Sequence, residues 1–257
     1  MTQAMSGAEA PITTPLDIRR VRHDLKRRML RVLRTLRLSP AMQRVTLTGE
    51  ALGDFTSLGF DDHVKLIFPG DGAPVMRDYT PRRHDPAALE LDIDFALHEA
   101  GPATAWALGA QPGDVLEVGG PKGSFIVPTA FDWHLLAGDA TALPAIGRRL
   151  EELPPEARAF VFVEVGGPAE EIDLKSRATL HLTWLHRAPQ VPSRLEPALA
   201  GFVPPAGEGY AWAACEAQIA PRLRQVLVGD LSLRRDRVRV SAYWKSGAAG
   251  FHDVLAD

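Results

Sequence analysis

The sequence predicts an antiparallel six-stranded β-barrel followed by a mostly parallel α/β domain, with the change near Pro128. Two observations predict this. The first half consists of short extended segments, several alternating apolar and polar residues with period two, separated by turns rich in Gly, Pro and Asp. The second half alternates apolar strands with helical segments. The first pattern suits a barrel and the second a sheet with helices on its faces. A composition of 46% hydrophobic and 24% charged residues over 257 positions supplies enough apolar surface to fold without disulfides or a structural metal. The expected domains are 19–128 and 129–257, with a loosely ordered segment before them.

Taken in order, the barrel strands fall at residues 29–38, 43–49, 63–70, 73–80, 91–98 and 114–120. Turn chemistry separates them at Gly70–Asp71–Gly72, at Arg82 to Pro86 and at Gln111 to Asp114. A brief helix lies between the fifth and sixth strands, and Ser124 reads as a turn residue. Beyond Pro128, residues 133–138 form a short strand. Residues 141–154 form a helix with Leu143, Ile146, Leu150 and Leu153 on one face and Pro144 in its first turn. Strands follow at 158–165 and 178–187. Residues 190–209 read as an exposed loop or a short helix with loops. A strand running into a helix at 209–227 and a last strand at 237–244 complete the series.

Several function classes are excluded by composition. A net charge of −3 argues against a nucleic-acid binder. Nine bases between Arg19 and Arg37 face a single acid, Asp24, yet no aromatics are interleaved as a stacking platform needs. That run reads as a solvated face, with a rim that attracts an anion as the alternative. One cysteine, Cys215, allows no internal disulfide and no multi-cysteine iron–sulfur or zinc site. No H-E-x-x-H or clustered carboxylate–histidine set occurs, so no metal is expected, and G-x-S-x-G is absent. No apolar run is long enough for a transmembrane helix and the start lacks a signal-peptide pattern, which sets the expected location in the cytoplasm.

Three segments carry candidate chemistry. In Arg77–Asp78–Tyr79–Thr80, alternation puts Arg77 and Tyr79 on one face, a cationic fork beside an aromatic ring. That pairing suits a ligand with both a phosphate and a flat ring system, with Thr80 as a donor to the ring; an edge tyrosine beside a surface arginine is the plain alternative. Next, Gly101 lets the chain turn after the fifth strand, Pro102 opens a helix, and Ala103 and Thr104 lie in its first turn. The free N–H groups there form an anion site to which Thr104 adds a hydroxyl. His98 either contacts a phosphate or caps the strand, and Trp106 reads as core more than as a ligand contact. Third, no G-x-G-x-x-G is present; a strand ending at Gly138 runs instead into Asp139–Ala140–Thr141 and the helix behind it.

RDYTPR, LDIDFALHEAGPATAWA, PGDVLEVGGPKGSF, LLAGDATALPAI, YAWAACEA and SAYWKSG occur in this order. The series resembles the siderophore-interacting protein family, FAD-dependent ferric-siderophore reductases related to ferredoxin–NADP reductase. The resemblance implies a flavin-binding barrel followed by a nicotinamide-binding domain. It implies FAD contacts from Arg77, Tyr79, Thr80 and Arg82, and from His98, Gly101, Pro102, Ala103, Thr104, Trp106 and Ala107. It sets Gly138, Asp139 and Thr141 beside NADPH or NADH, and points to Lys65 and Lys245 as contacts for an anionic ferric siderophore, with Arg148 or Arg149 as a further base. Ala140 and Cys215 depart from the family pattern, which usually has glutamate and glycine there; an inert buried thiol is the expectation for Cys215. The implied activity moves electrons from NAD(P)H through FAD to chelated ferric iron, with no catalytic side chain, in a chain taken as a monomer. The alternatives are another acceptor, such as a quinone, a free ferric chelate or a small redox protein, and a non-catalytic siderophore binder. Glu164, at the end of a strand, leans by charge toward NADH, while Lys175, Arg177 or Arg187 would favour NADPH.

Overall fold

The computed structural model describes residues 16–70, 72–97, 101–247 and 253–255. Its first half contains β1 (Arg19–Arg22), β2 (Arg27–Ser39), β3 (Met42–Thr48), β4 (Val64–Phe68), β5 (Val75–Tyr79), β6 (Pro81–Asp85), β7 (Glu90–Ala96), helix α1 (Pro102–Gly109), β8 (Val115–Gly119) and β9 (Gly123–Ile126). Seven of these strands form one antiparallel sheet in the order β5-β4-β8-β2-β3-β7-β6. Its inward residues (Leu30, Val45, Leu47, Leu66, Leu91, Ile93 and Val118) are fully buried and pack into one cluster with Ala103 and Ala107 of α1. Among the described residues β5 and β6 are the two edges, so the sheet is curled but has ends.

This corrects the six-strand expectation. The six expected strands are present, and β6 occupies the stretch read as a turn at Arg82 to Pro86. Its proline heads an edge strand, a position where a missing N–H costs no ladder bond. Ser124 is also not a turn residue. It lies in β9, which pairs with β1 as a separate two-stranded ribbon, and its buried hydroxyl donates to Asp62 at 2.6 Å.

The second half contains β10 (Trp133–Asp139), α2 (Leu143–Glu152), β11 (Arg158–Val165), β12 (Thr179–His186), α3 (Leu195–Ala200), β13 (Gly209–Glu216), α4 (Ala220–Arg224), β14 (Val238–Trp244) and β15 (Asp253–Val254). The sheet order is β12-β11-β10-β13-β14-β15. The first five strands pair in parallel and the two-residue β15 is antiparallel, so the sheet is mixed. Strands β10 and β13 are buried along almost their whole length, as central strands covered on both faces must be. The expected apolar stripe of α2 (Leu143, Ile146, Leu150 and Leu153) is at most 2% exposed.

One apolar cluster joins the halves: Met42, Phe60 and Val127 pack with Leu136, Ile146, Val161 and Trp212. Polar contacts reinforce this seam. Arg148 of α2 donates to the Ser57 hydroxyl at 2.8 Å, the Ser57 carbonyl at 2.9 Å and the Pro81 carbonyl at 3.0 Å. Asp61 accepts from Trp212 Nε1 at 3.2 Å and from Arg239 Nε at 2.7 Å. No helix among the described residues is long and apolar enough to cross a membrane.

Candidate functional site

The first cluster lies at the edge strand β5. Tyr79 is half-buried, its ring centroid 4.5 Å from that of Phe95, and Phe95 and Phe68 lie 5.8 and 5.6 Å from Trp106 of α1. Four elements, β4, β5, β7 and α1, thus form one aromatic ladder. Burial pushes the Tyr79 phenol far up, opposed by the nearby Arg77 charge. Arg77 donates only to the Met76 carbonyl at 2.8 Å and has no carboxylate partner among the described residues. Thr80 is buried and faces the Tyr243 hydroxyl of β14. Helix α1 starts at Pro102 behind an extended Gly101, with no side-chain cap and no acid in its first turn. Among the described residues no side chain accepts from its N-terminal N–H groups, while Ala103 and Thr104 are buried. His98 lies outside the described residues.

The other residues expected here have different surroundings. Arg82 is 8% exposed and its fork donates to Glu151 of α2 at 2.9 and 2.5 Å, with Asp94 at 3.9 Å. It is a strut between the two halves. Arg148 belongs to the seam, and Arg149 is buried at 2% exposure, donating to the Pro128 carbonyl at 2.5 Å. Neither lines a cavity described among these residues.

Lys65 pairs with Asp78 at 2.6 Å across the β4–β5 ladder, on the face opposite the one that carries Leu66 and Arg77. The two lie in an open cavity of about 370 Å³ with Arg27, His63, Met76 and Lys122 among its lining. Arg27, His63 and Lys122 were not singled out by sequence, because they come from three separate segments. Lys245 is exposed beyond β14 and is not part of this lining.

A second cavity of about 370 Å³ opens at the carboxyl ends of the parallel strands, between β10 and β13, where the order of connections reverses. Open α/β sheets bind ligands at this point. Asp139 and Glu216 line it together with Glu164, Arg187, Cys215 and Trp244. Asp139 caps the turn before α2, accepting from the Thr141 N–H at 2.9 Å and hydroxyl at 2.5 Å, and accepts from Trp244 Nε1 at 2.8 Å. Burial raises its carboxyl above the usual range while these donors oppose the rise. Gly138 has no room for a side chain: a Cβ would run into the Ala214 carbonyl and the Ala142 methyl. Trp244 is the contact that sequence did not announce, since the 105 residues between it and Asp139 leave no local signal. Ala140 is half-buried in the capped turn, and nothing around it explains the missing glutamate. Cys215 is 1% exposed.

The comparisons agree with this layout. The siderophore-interacting FAD-binding domain matches residues 31–74 and 69–125, and the siderophore-interacting protein family matches residues 131–247. The chain is similar to the NADPH-dependent ferric-chelate reductase of Escherichia coli, 37% identical over 90% of this chain and 98% of the relative. It is also similar to the ferric vibriobactin reductase of Vibrio cholerae, 33% identical over 86% of this chain and 90% of the relative. The crystal structure of a siderophore utilization protein from T. fusca superposes with a TM-score of 0.86 at 36% identity, covering 91% of this chain and 98% of that one. Matches of this extent, running through both sheets and both clusters, make the chain a member of the siderophore-interacting protein family.

Proposed function

We propose that this protein transfers electrons from NADPH or NADH through FAD to ferric iron held in a siderophore, releasing ferrous iron. The observation that carries the proposal is the near full-length similarity to two relatives named as ferric reductases. In this reading residues 19–128 are the flavin domain and 129–257 the nicotinamide domain. The residues of the first cluster suit FAD: an arginine without an acid partner, an uncapped helix start for phosphates and a tyrosine backed by an aromatic ladder. When bound, FAD accepts a hydride from nicotinamide and passes single electrons to an acceptor.

The side chains do the rest by position and charge. Arg77 and the first turn of α1 hold phosphate oxygens. Tyr79 packs against a flat ring, and Thr80, beside Tyr243, offers its hydroxyl at the seam. The cavity at β10 and β13 receives the nicotinamide dinucleotide, with Asp139 holding the turn rigid rather than moving a proton. Lys65 with Arg27 and Lys122 attracts an anionic chelate, and Lys245 is retained as a contact from the other end of the chain. Ferric iron leaves once reduced because hard oxygen ligands hold the divalent ion less well.

The test is spectroscopic. Protein loaded with FAD is mixed without oxygen with NADPH or NADH, then with a ferric catecholate or hydroxamate and a ferrous trap. Bleaching by nicotinamide followed by recovery and trapped ferrous iron is the expected result. Protein that never takes up FAD overturns the proposal; flavin that bleaches but recovers with no chelate overturns its acceptor.

A further inference from the structure

The acid that leans by charge toward NADH is already occupied. Glu164 ends β11, where an acid in an open nucleotide-binding sheet ordinarily accepts a ribose hydroxyl. Here the carboxylate is 4% exposed and both of its oxygens are taken. One is ion-paired with Arg187 Nε at 2.6 Å. The other accepts from the Ser193 hydroxyl at 3.0 Å and the Arg194 backbone N–H at 2.5 Å. A ribose hydroxyl that donated to it would have to displace one of these donors.

Arg187 is the counterpart. It immediately follows β12, is 35% exposed along its side chain and lines the cavity at the carboxyl ends of the strands. Its Nε is fixed by Glu164 and its Nη1 donates to the Val191 carbonyl at 3.2 Å, which leaves Nη2 without a partner among the described residues. The guanidinium is thus anchored on one side and has donor capacity left on the other. Lys175 and Arg177, the other bases considered, directly precede β12. In a parallel strand that sets them at the amino edge of the sheet, away from the cavity.

The geometry points to Arg187 as the residue that selects the phosphorylated dinucleotide, by pairing with its 2′-phosphate, and to Glu164 as the positioning residue that orients it. A monoester phosphate carries about 1.5 to 2 negative charges at pH 7 and matches the guanidinium fork. Unphosphorylated ribose offers that fork nothing comparable. This rests on the nicotinamide role proposed above.

The test separates the two. Binding of 2′,5′-ADP and of 5′-AMP to the FAD-loaded protein is measured by titration calorimetry, without turnover. The wild type is expected to prefer 2′,5′-ADP, and Arg187→Gln to weaken 2′,5′-ADP by about tenfold or more while 5′-AMP stays within about twofold. Removing Arg187 alone strands a buried carboxylate, so the double variant Glu164→Gln with Arg187→Gln, which keeps the site neutral and hydrogen-bonded, is measured beside it and should lose the same preference. Equal wild-type affinity for the two ligands, or equal weakening of both by the substitutions, overturns the assignment and leaves the reductase reading standing. Binding of neither overturns the nicotinamide role and the assignment with it.

Discussion

Cys215 lines the cavity at the carboxyl ends of the parallel strands yet is sealed under its surface, with the sulfur 3.6 Å from the Glu216 carbonyl. Burial first, then the carboxylates of Asp139, Glu216 and Glu164, push its thiol well above the ordinary range. A thiol held protonated and covered is a poor nucleophile. The native protein at pH 8 should therefore leave DTNB uncoloured for many minutes and release one equivalent only after denaturation; a prompt equivalent from native protein would contradict this. Arg77 makes the opposite case, a cation with spare donors. Arg77→Ala should weaken FAD binding by about 10- to 100-fold in a flavin fluorescence titration, the size of a lost charge-assisted hydrogen bond. Both residues were legible in the sequence as points of interest, Arg77 from the alternation within its strand and Cys215 from its departure at the end of β13. Neither Trp244 at Asp139 nor Glu151 at Arg82 was legible, because a side chain's partner across 105 or 69 residues is fixed by the sheet, not by local spacing.

The strands and helices that were easy to read are those with strong periodicity, such as α2, whose stripe of Leu143, Ile146, Leu150 and Leu153 is fully used. Of the elements that were missed, the ribbon strands β1 and β9 among them, β6 has the charged composition of a turn, and its pairing with β7 joins segments that the local sequence does not link. It also shows what α2 does beyond its apolar face: on its other side Arg148 and Glu151 reach the first half. Replacing Arg148 by Ala removes three hydrogen bonds across the seam, besides the one to Glu152, and leaves part-buried acceptors behind, and should cost about 2–3 kcal/mol. In a chain of this size that lowers the melting temperature by about 4–12 °C in a calorimetric scan. An unchanged melting temperature would mean that the Arg148 contacts contribute nothing net to the seam. Gly138→Ala acts one layer deeper, forcing β10 away from β13 beside the cavity proposed for the nicotinamide dinucleotide. Overpacking of that kind costs about 1–3 kcal/mol, and nicotinamide binding should fall with it while the flavin stays bound.

For the molecule as a whole, the sequence announced the fold class because the switch from period two to alternating strands and helices survives any local error. It did not announce how tightly the two halves are joined. The shared core predicts one cooperative unfolding transition, and its pH dependence has an identifiable contributor. His134 is 0% exposed; burial, with the Arg149 charge adding to it, pushes its pKa from 6.5 down to about 3. The unfolded chain therefore binds a proton that the folded chain refuses, so stability is intact above pH 6.5 and is lost as the pH falls below it. His134→Gln should flatten the decline between pH 6.5 and about 5 in urea titrations. The raised carboxyls of Asp62 and Asp139 act in the opposite sense, favouring the folded state as the pH falls toward the ordinary carboxylate range, and they do so equally in the wild type and the variant. A decline identical in the variant would assign it to other groups.

The seam bears on how such chains can be recombined. Arg82 with Glu151, Arg148 with Ser57, and Asp61 with Arg239 each divide a partnership between the two halves. A chimera that joined the front of one relative to the back of another at residue 128 would inherit one member of each pair without its mate. Crossovers should succeed only between parents that agree at all six positions, however similar the sequences are elsewhere.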